Sequence, residues 1–102
     1  MNTFINKFDP LEQLIIGKGL RIAGLHFYPV LDLMLIVLNN KKILKREISS
    51  SPRLKKVTPE QLARYELSGD GVAVHWPDAD EDLSLKGFLQ DELASADKPL
   101  MA

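Results

Sequence analysis

At 102 residues the chain has the length of one domain, and 45% hydrophobic with 26% charged residues is globular rather than disordered composition. It contains no cysteine, which excludes a disulfide framework and a thiolate zinc site. The net charge of −1 hides an asymmetry: residues 1–66 hold eleven Lys/Arg against six Asp/Glu, whereas residues 67–102 hold two against eight.

No basic leader followed by a long apolar region opens the chain. The longest apolar run, Leu33 to Leu38, is far short of the ~20 residues that cross a bilayer, so a cytoplasmic protein without a membrane role is expected. The organisation expected is a single domain over 1–102, with an N-terminal addition over 1–19, a core over 20–94 and a frayed tail from Ser95 on.

Asp9-Pro10-Leu11-Glu12-Gln13-Leu14-Ile15-Ile16-Gly17 predicts a short helix, with Asp9 as cap, Pro10 at the first helical position and Gly17 as stop. Leu20 to Tyr28 is rich in β-branched and aromatic residues and predicts a strand ended by Pro29. Leu31 to Leu38 is apolar almost throughout after Asp32, the pattern of a central strand buried on both faces. Asn39-Asn40 is the best turn signal, since Asn tolerates the left-handed conformation, and Lys42 to Ile48 is the returning strand of that hairpin. A helix over 41–48 is the competing reading.

Ser49 to Pro52 is a loop. Thr58-Pro59-Glu60-Gln61 then predicts a capping box, Thr58 accepting from the amide of Gln61 and Gln61 reaching back, at the start of a helix ending near Tyr65. Residues 65–68 and 72–76 flank Gly69-Asp70-Gly71 as a second hairpin. Ser84 caps a last helix whose Leu85, Phe88, Leu89 and Leu93 share a face. This order of strands and short helices gives an α+β fold, with a small antiparallel sheet of about five strands and two or three short helices.

One stretch differs from the rest. Residues 72–84 hold the lone Trp, one of two His and four of the fourteen acids. Pro52-Arg53-Leu54, then Thr58-Pro59-Glu60-Gln61-Leu62, then Gly71 followed by His75-Trp76-Pro77-Asp78 and Asp80-Glu81-Asp82-Leu83-Ser84-Leu85-Lys86-Gly87-Phe88-Leu89 resemble domain-of-unknown-function family 2442. The resemblance is close over 52–89 and loose over 20–48. It implies a small bacterial α+β protein with no established activity and no catalytic residues to carry over. Members of that family are often encoded beside another small protein, which implies a two-protein, toxin–antitoxin-like module.

Four chemistries compete for the distinctive residues. His75 with Asp78, Asp80, Glu81 and Asp82 offers metal or small-ligand donors, but the acids lack the glycine a calcium loop needs. They read better as caps of a turn and a helix, Asp78 and Asp80 in the turn and Asp82 near the helix start. Catalysis by His75 with Asp80 or Asp82 lacks a nucleophile, an elbow motif or a phosphate loop, so neither an enzyme nor a cofactor is expected.

Nucleic-acid binding has its charge in Lys41, Lys42, Lys45, Arg46, Arg53, Lys55 and Lys56, answered within 41–56 only by Glu47, but no aromatic lies among them to stack a base. Two halves of opposite charge that attract each other in the fold explain the asymmetry more simply. Protein recognition is favoured, with Arg53, Tyr65, His75, Trp76, Asp78, Asp80, Glu81 and Asp82 as contact residues, and with Trp76 and Tyr65 as core residues an equal alternative. The reading is a non-catalytic interaction or regulatory module with a small protein partner, a homo-oligomer being compatible with it. The alternative is a nucleic-acid accessory using the 41–56 stretch, and ligand or metal binding at His75 and the acids comes third.

Overall fold

The structure, a computed structural model, describes residues 9–96. Two antiparallel three-stranded sheets and three helices build an α+β fold. The single five-stranded sheet expected from sequence is replaced by this pair.

The N-terminal helix α1 (Pro10–Glu12) continues into a π turn, Gln13–Gly17. Its capping box is complete: Glu12 N–H donates to Asp9 Oδ1 at 2.8 Å and Asp9 N–H to Glu12 Oε1 at 3.3 Å. Two turns cannot hold themselves in water. Leu11 and Ile15 pack on the core, and Lys86 Nζ reaches Asp9 at 3.1 Å and Glu12 at 3.0 Å. The Glu12 N–H and then Lys86 hold the Asp9 carboxyl below its ordinary value, while Glu12 and Asp9 raise the Lys86 ammonium.

The first sheet is ordered β1 (Ile22–Tyr28), β2 (Leu33–Leu38), β3 (Ile43–Glu47), with β2 central as expected. A one-residue slip in β1 pairs Ile22 with Leu38 but Gly24 with Val37. This bulge explains why Ile22, Leu25 and Phe27 face the core although the first two are three residues apart. In β2 burial alternates strictly. Met34 and Ile36 are wholly buried and Leu38 nearly so, while Leu33, Leu35 and Val37 are half-buried on the opposite face. The expectation of a strand buried on both faces, with Leu35 in the core, is therefore corrected: the described chain packs its core on one side of this sheet only.

The β2–β3 hairpin closes as predicted, but the left-handed residue is Lys41, at φ 74°, rather than an Asn. The asparagines act through their side chains. Asn40 Oδ1 accepts from Lys42 N–H at 3.0 Å, and Asn39 holds Arg21 N–H and Gly19 C=O, both at 3.0 Å. The competing helix over 41–48 is not formed.

Single 3₁₀ turns at Ile48–Ser50 and Leu54–Lys56 lead to α2 (Pro59–Ala63). Its predicted box is present, with Gln61 N–H to Thr58 Oγ1 at 3.1 Å and Thr58 N–H to Gln61 Oε1 at 2.9 Å.

The second sheet is ordered β4 (Glu66–Ser68), β5 (Ala73–Trp76), β6 (Glu81–Ser84). The third of these strands was not foreseen. Glu81 and Asp82 pair opposite Trp76 and His75, so Asp82 lies in a strand rather than at a helix start. Ser84 ends β6 and caps α3 (Leu85–Ala96), accepting from Gly87 N–H at 2.9 Å. Leu85, Phe88 and Leu89 are buried as predicted, but Leu93 is 56% exposed because nothing described extends far enough to cover the fourth position of the stripe. Of the tail expected to fray, Ser95 and Ala96 are helical, and the remainder lies outside the described residues, as does Met1 to Phe8.

The sheets join where Ile22 N–H donates to Gly71 C=O at 2.8 Å. The side chains of Trp76, Met34, Ile36, Leu54, Leu85 and Val74 fill the space between sheets and helices. Phe27 links the sheets by edge contacts to Tyr65 at 5.9 Å and Trp76 at 6.4 Å.

Candidate interaction surfaces

The residues singled out by sequence fall into three places. The first is a junction that ties residues 51–64 to the turn after β5. Ser51 Oγ donates to Glu81 Oε2 at 2.5 Å and accepts from Leu54 N–H at 3.3 Å. Arg53 donates to the Asp80 carbonyl and lies 3.5 Å from its carboxylate, and Arg64 Nε meets Asp78 Oδ2 at 3.0 Å.

Trp76 lies beneath this junction, wholly buried, its indole N–H donating to Leu62 C=O at 3.0 Å. It was offered above as a contact residue; burial takes it off the surface and makes it the anchor between α2 and the second sheet. The Arg53–Asp80 pair is exposed and solvated, and such pairs contribute ~0–1 kcal/mol. The junction is chiefly a fastening. A shallow hollow of about 450 Å³ beside it, with Arg53, Lys56 and Asp78 at its rim, is open to solvent.

The second place is the outer face of the second sheet. His75 Nδ1 sits 2.8 Å from Asp82 Oδ1, with Glu66 opposite on the other neighbouring strand. The carboxylate fixes the orientation of the imidazole. Among the described residues no group of three His, Asp or Glu is arranged to hold a metal ion. Ser84, a hydroxyl close in sequence, is engaged by Gly87 N–H. Tyr65 belongs elsewhere: its hydroxyl accepts from Leu25 N–H at 3.1 Å and blocks part of the free edge of β1.

Among the described residues the basic stretch forms ion pairs with the acidic half at two points, Arg46 with Asp91 of α3 and Arg53 with Asp80. Arg46 is also stacked over Phe88, 5.5 Å from the ring centre. Lys41, Lys42, Lys45, Lys55 and Lys56 are exposed and make no ion pair among the described residues. The mutual attraction expected of the two halves is thus carried by the arginines.

The third place was missed by sequence reasoning. The outer face of the first sheet presents three cross-strand rows: Tyr28–Leu33–Glu47, His26–Leu35–Lys45 and Gly24–Val37–Ile43. At one end of this face the chain turns through Pro29–Leu31 and leaves Tyr28 47%, Val30 98% and Leu31 70% exposed. Ile43, at 53%, lies at the diagonally opposite corner of the rows. Large apolar side chains clustered beside an uncovered apolar strand face are the usual mark of a contact surface. The sequence carried a signal for it, the unbroken apolar run of β2. The sequence pattern reads that run as a doubly covered strand, with one strand ending at Tyr28, the next beginning at Leu31 and Val30 in neither.

No curated protein sequence matches the chain. Two solved structures resemble it. One is an uncharacterised protein from Chromobacterium violaceum, 25% identical, TM-score 0.65, aligned over 90% of this chain and 87% of that one. The other is a protein of unknown function from Rhodospirillum rubrum ATCC 11170, 25% identical, TM-score 0.62, aligned over 71% of this chain and 87% of that one. The family described as protein of unknown function (DUF2442) matches residues 22–92, from the start of β1 into α3. The chain belongs to that family.

Proposed function

We propose that the chain is a non-catalytic protein-interaction module that docks a partner protein on the outer face of its first sheet. The observation that carries this reading is the composition of β2, whose Leu33, Leu35 and Val37 form a second apolar row that the described chain does not cover. The corner beside it supplies an aromatic anchor, Tyr28, and two aliphatic ones, Val30 and Leu31. Aromatic and aliphatic side chains that become fully desolvated on docking contribute most of the affinity in such contacts. The partner has a complementary apolar patch, with polar groups at its rim to meet Lys45 and Glu47. A small regulatory protein, in a toxin–antitoxin-like pair, suits this surface.

The test is co-purification from the native host with the tagged chain, run in parallel for wild type, Val30→Asp, Leu31→Asp and His75→Ala. A partner held by wild type and His75→Ala but lost from both corner variants supports the proposal. A partner held by all four overturns this assignment of the surface.

A second reading has its own support in the five lysines of 41–56 that make no ion pair among the described residues. Binding to generic duplex nucleic acid that falls steeply with added salt, and that weakens in Lys41→Ala/Lys45→Ala, would favour it.

A further inference from the structure

We propose that β3 pairs with β3 of a second copy of this chain, in one register set by Lys45 and Glu47, to make a continuous six-stranded sheet. The starting point is the direction of the backbone. Leu38 N–H donates to Lys42 C=O at 2.8 Å and Ile48 N–H to Asp32 C=O at 3.1 Å. Even-numbered residues of this strand therefore point their peptide groups at β2, and Ile43, Lys45 and Glu47 point theirs away. Among the described residues those three N–H groups have no acceptor; the Glu47 carbonyl takes Ser50 Oγ at 2.6 Å and keeps its second lone pair.

The other outer edge of this sheet is guarded. Tyr65 occupies Leu25 N–H, and Gly71 occupies Ile22 N–H. Beside β3 there is instead an open groove of about 540 Å³ between the strand and the C-terminal half of α3. An added strand runs ~4.8 Å from its neighbour and takes up such a space.

Charge selects the occupant and the register. On the outer face Lys45 and Glu47 are two residues apart and opposite in sign. A two-fold axis through Arg46 sets each Lys45 directly opposite Glu47 of the second copy. This gives four backbone hydrogen bonds and two cross-strand ion pairs, with Cβ atoms ~5 Å apart. An axis through Lys45 would oppose the two lysines, and an axis through Leu44 would set Lys45 opposite Ile43 and Glu47 opposite Lys41, which lies in the turn outside the strand. At the axis the two Arg46 side chains do not meet as bare charges, because each is held by its own Asp91 and stacked on its own Phe88.

A two-fold perpendicular to the sheet leaves both outer faces on the same side. The dimer therefore offers two adjacent copies of the surface proposed above, although the pairing itself does not depend on that surface being used.

Sedimentation equilibrium of the full chain tests this. Wild type is expected to show a reversible monomer–dimer equilibrium that weakens with salt. Lys45→Glu and Glu47→Lys each replace two attractive pairs with two repulsive ones and should raise the dimer dissociation constant about tenfold or more. The double variant Lys45→Glu/Glu47→Lys restores opposite charges in this register alone and should return it to near the wild-type value. Circular dichroism melts of the single variants verify that these exposed substitutions leave the monomer folded. A wild type that stays monomeric at several hundred micromolar protein overturns the proposal, as does a double variant no better than the singles. Either result leaves the co-purification test of the Tyr28–Leu31 corner intact.

Discussion

Replacing Gly71 with alanine tests how the two sheets are joined. Gly71 has φ +107°, outside the left-handed helical well that other residues occasionally enter, and a Cβ there would sit 2.4 Å from Ile22 O and 3.0 Å from Ile22 N. Those neighbours are backbone atoms of β1 and cannot rotate aside. The backbone strain alone costs ~1–3 kcal/mol for a non-glycine residue. Relieving the overlap means moving the β4–β5 turn away from β1, which breaks the 2.8 Å bond from Ile22 N–H to Gly71 C=O, worth ~0.5–1.5 kcal/mol. The sum is about 1.5–4.5 kcal/mol before any loss of packing, against a total stability of ~5–15 kcal/mol for a domain of this size. Urea unfolding followed by Trp76 fluorescence measures it. Gly17→Ala is the control, since nothing lies within 4 Å of a Cβ at that position and its φ is unstrained. A Gly71→Ala variant within about 1 kcal/mol of wild type would falsify the claim that close backbone approach at Gly71 holds the sheets together.

Met34→Ala should cost ~2–5 kcal/mol in the same assay, whereas Leu35→Ala should cost clearly less, because Met34 is wholly buried and Leu35 lies on the half-buried outer face. Equal costs would refute the one-sided core. Lys41→Gly should be neutral or stabilise by up to ~1 kcal/mol, the relief of a left-handed lysine offset by added freedom in the unfolded chain; thermal unfolding that drops by several degrees would contradict it. Docking of α1 should have two pH limits, read from the NMR shift of the Ile15 methyl groups. The lowered Asp9 pKa stabilises docking above the ordinary 3.8, and that contribution is lost as pH falls through the lowered value. The raised Lys86 pKa stabilises it below 10.5, and this is lost as pH rises through the raised value. Lys86→Met should erase the alkaline limb and leave most of the acid limb, because the Glu12 N–H is the larger cause at Asp9.

Local chemistry was legible in the sequence, and non-local geometry was not. The Asp9 and Ser84 caps, the Thr58 capping box and the turn of the first hairpin follow from side chains that bond amides two or three residues away, and the second hairpin from Gly69-Asp70-Gly71 at positive φ, so a short window contains the whole cause. β6 was missed because Glu81 and Asp82 have poor strand propensity. Their strand exists because Val74 and Trp76 offer a buried partner strand and Leu83 packs inward, which is tertiary context overriding local preference. The division into two sheets, and the backbone contact at Gly71 that joins them, leave no pattern in the sequence. For the site, the grouping of Arg53 with the acidic turn was half legible from charge. The burial of Trp76 was legible only as an even choice between core and surface, and the exposure of Val30 was not legible, because each depends on residues far away in sequence.

The position of β2 has a consequence for solution behaviour. Leu-Met-Leu-Ile-Val-Leu is six apolar residues with no charge and no proline, the kind of segment that stacks into cross-β fibrils when its backbone is free. In the folded chain it is flanked on both sides by β1 and β3, so every ladder position is already taken. Asp32 at one end, and Lys41 and Lys42 just past the turn at the other, act as gatekeepers that disfavour end-to-end growth in unfolded chains. The tendency of this protein to aggregate is therefore governed by how often the first sheet opens. Conditions or substitutions that loosen β3 should seed fibrils well before they unfold the second sheet.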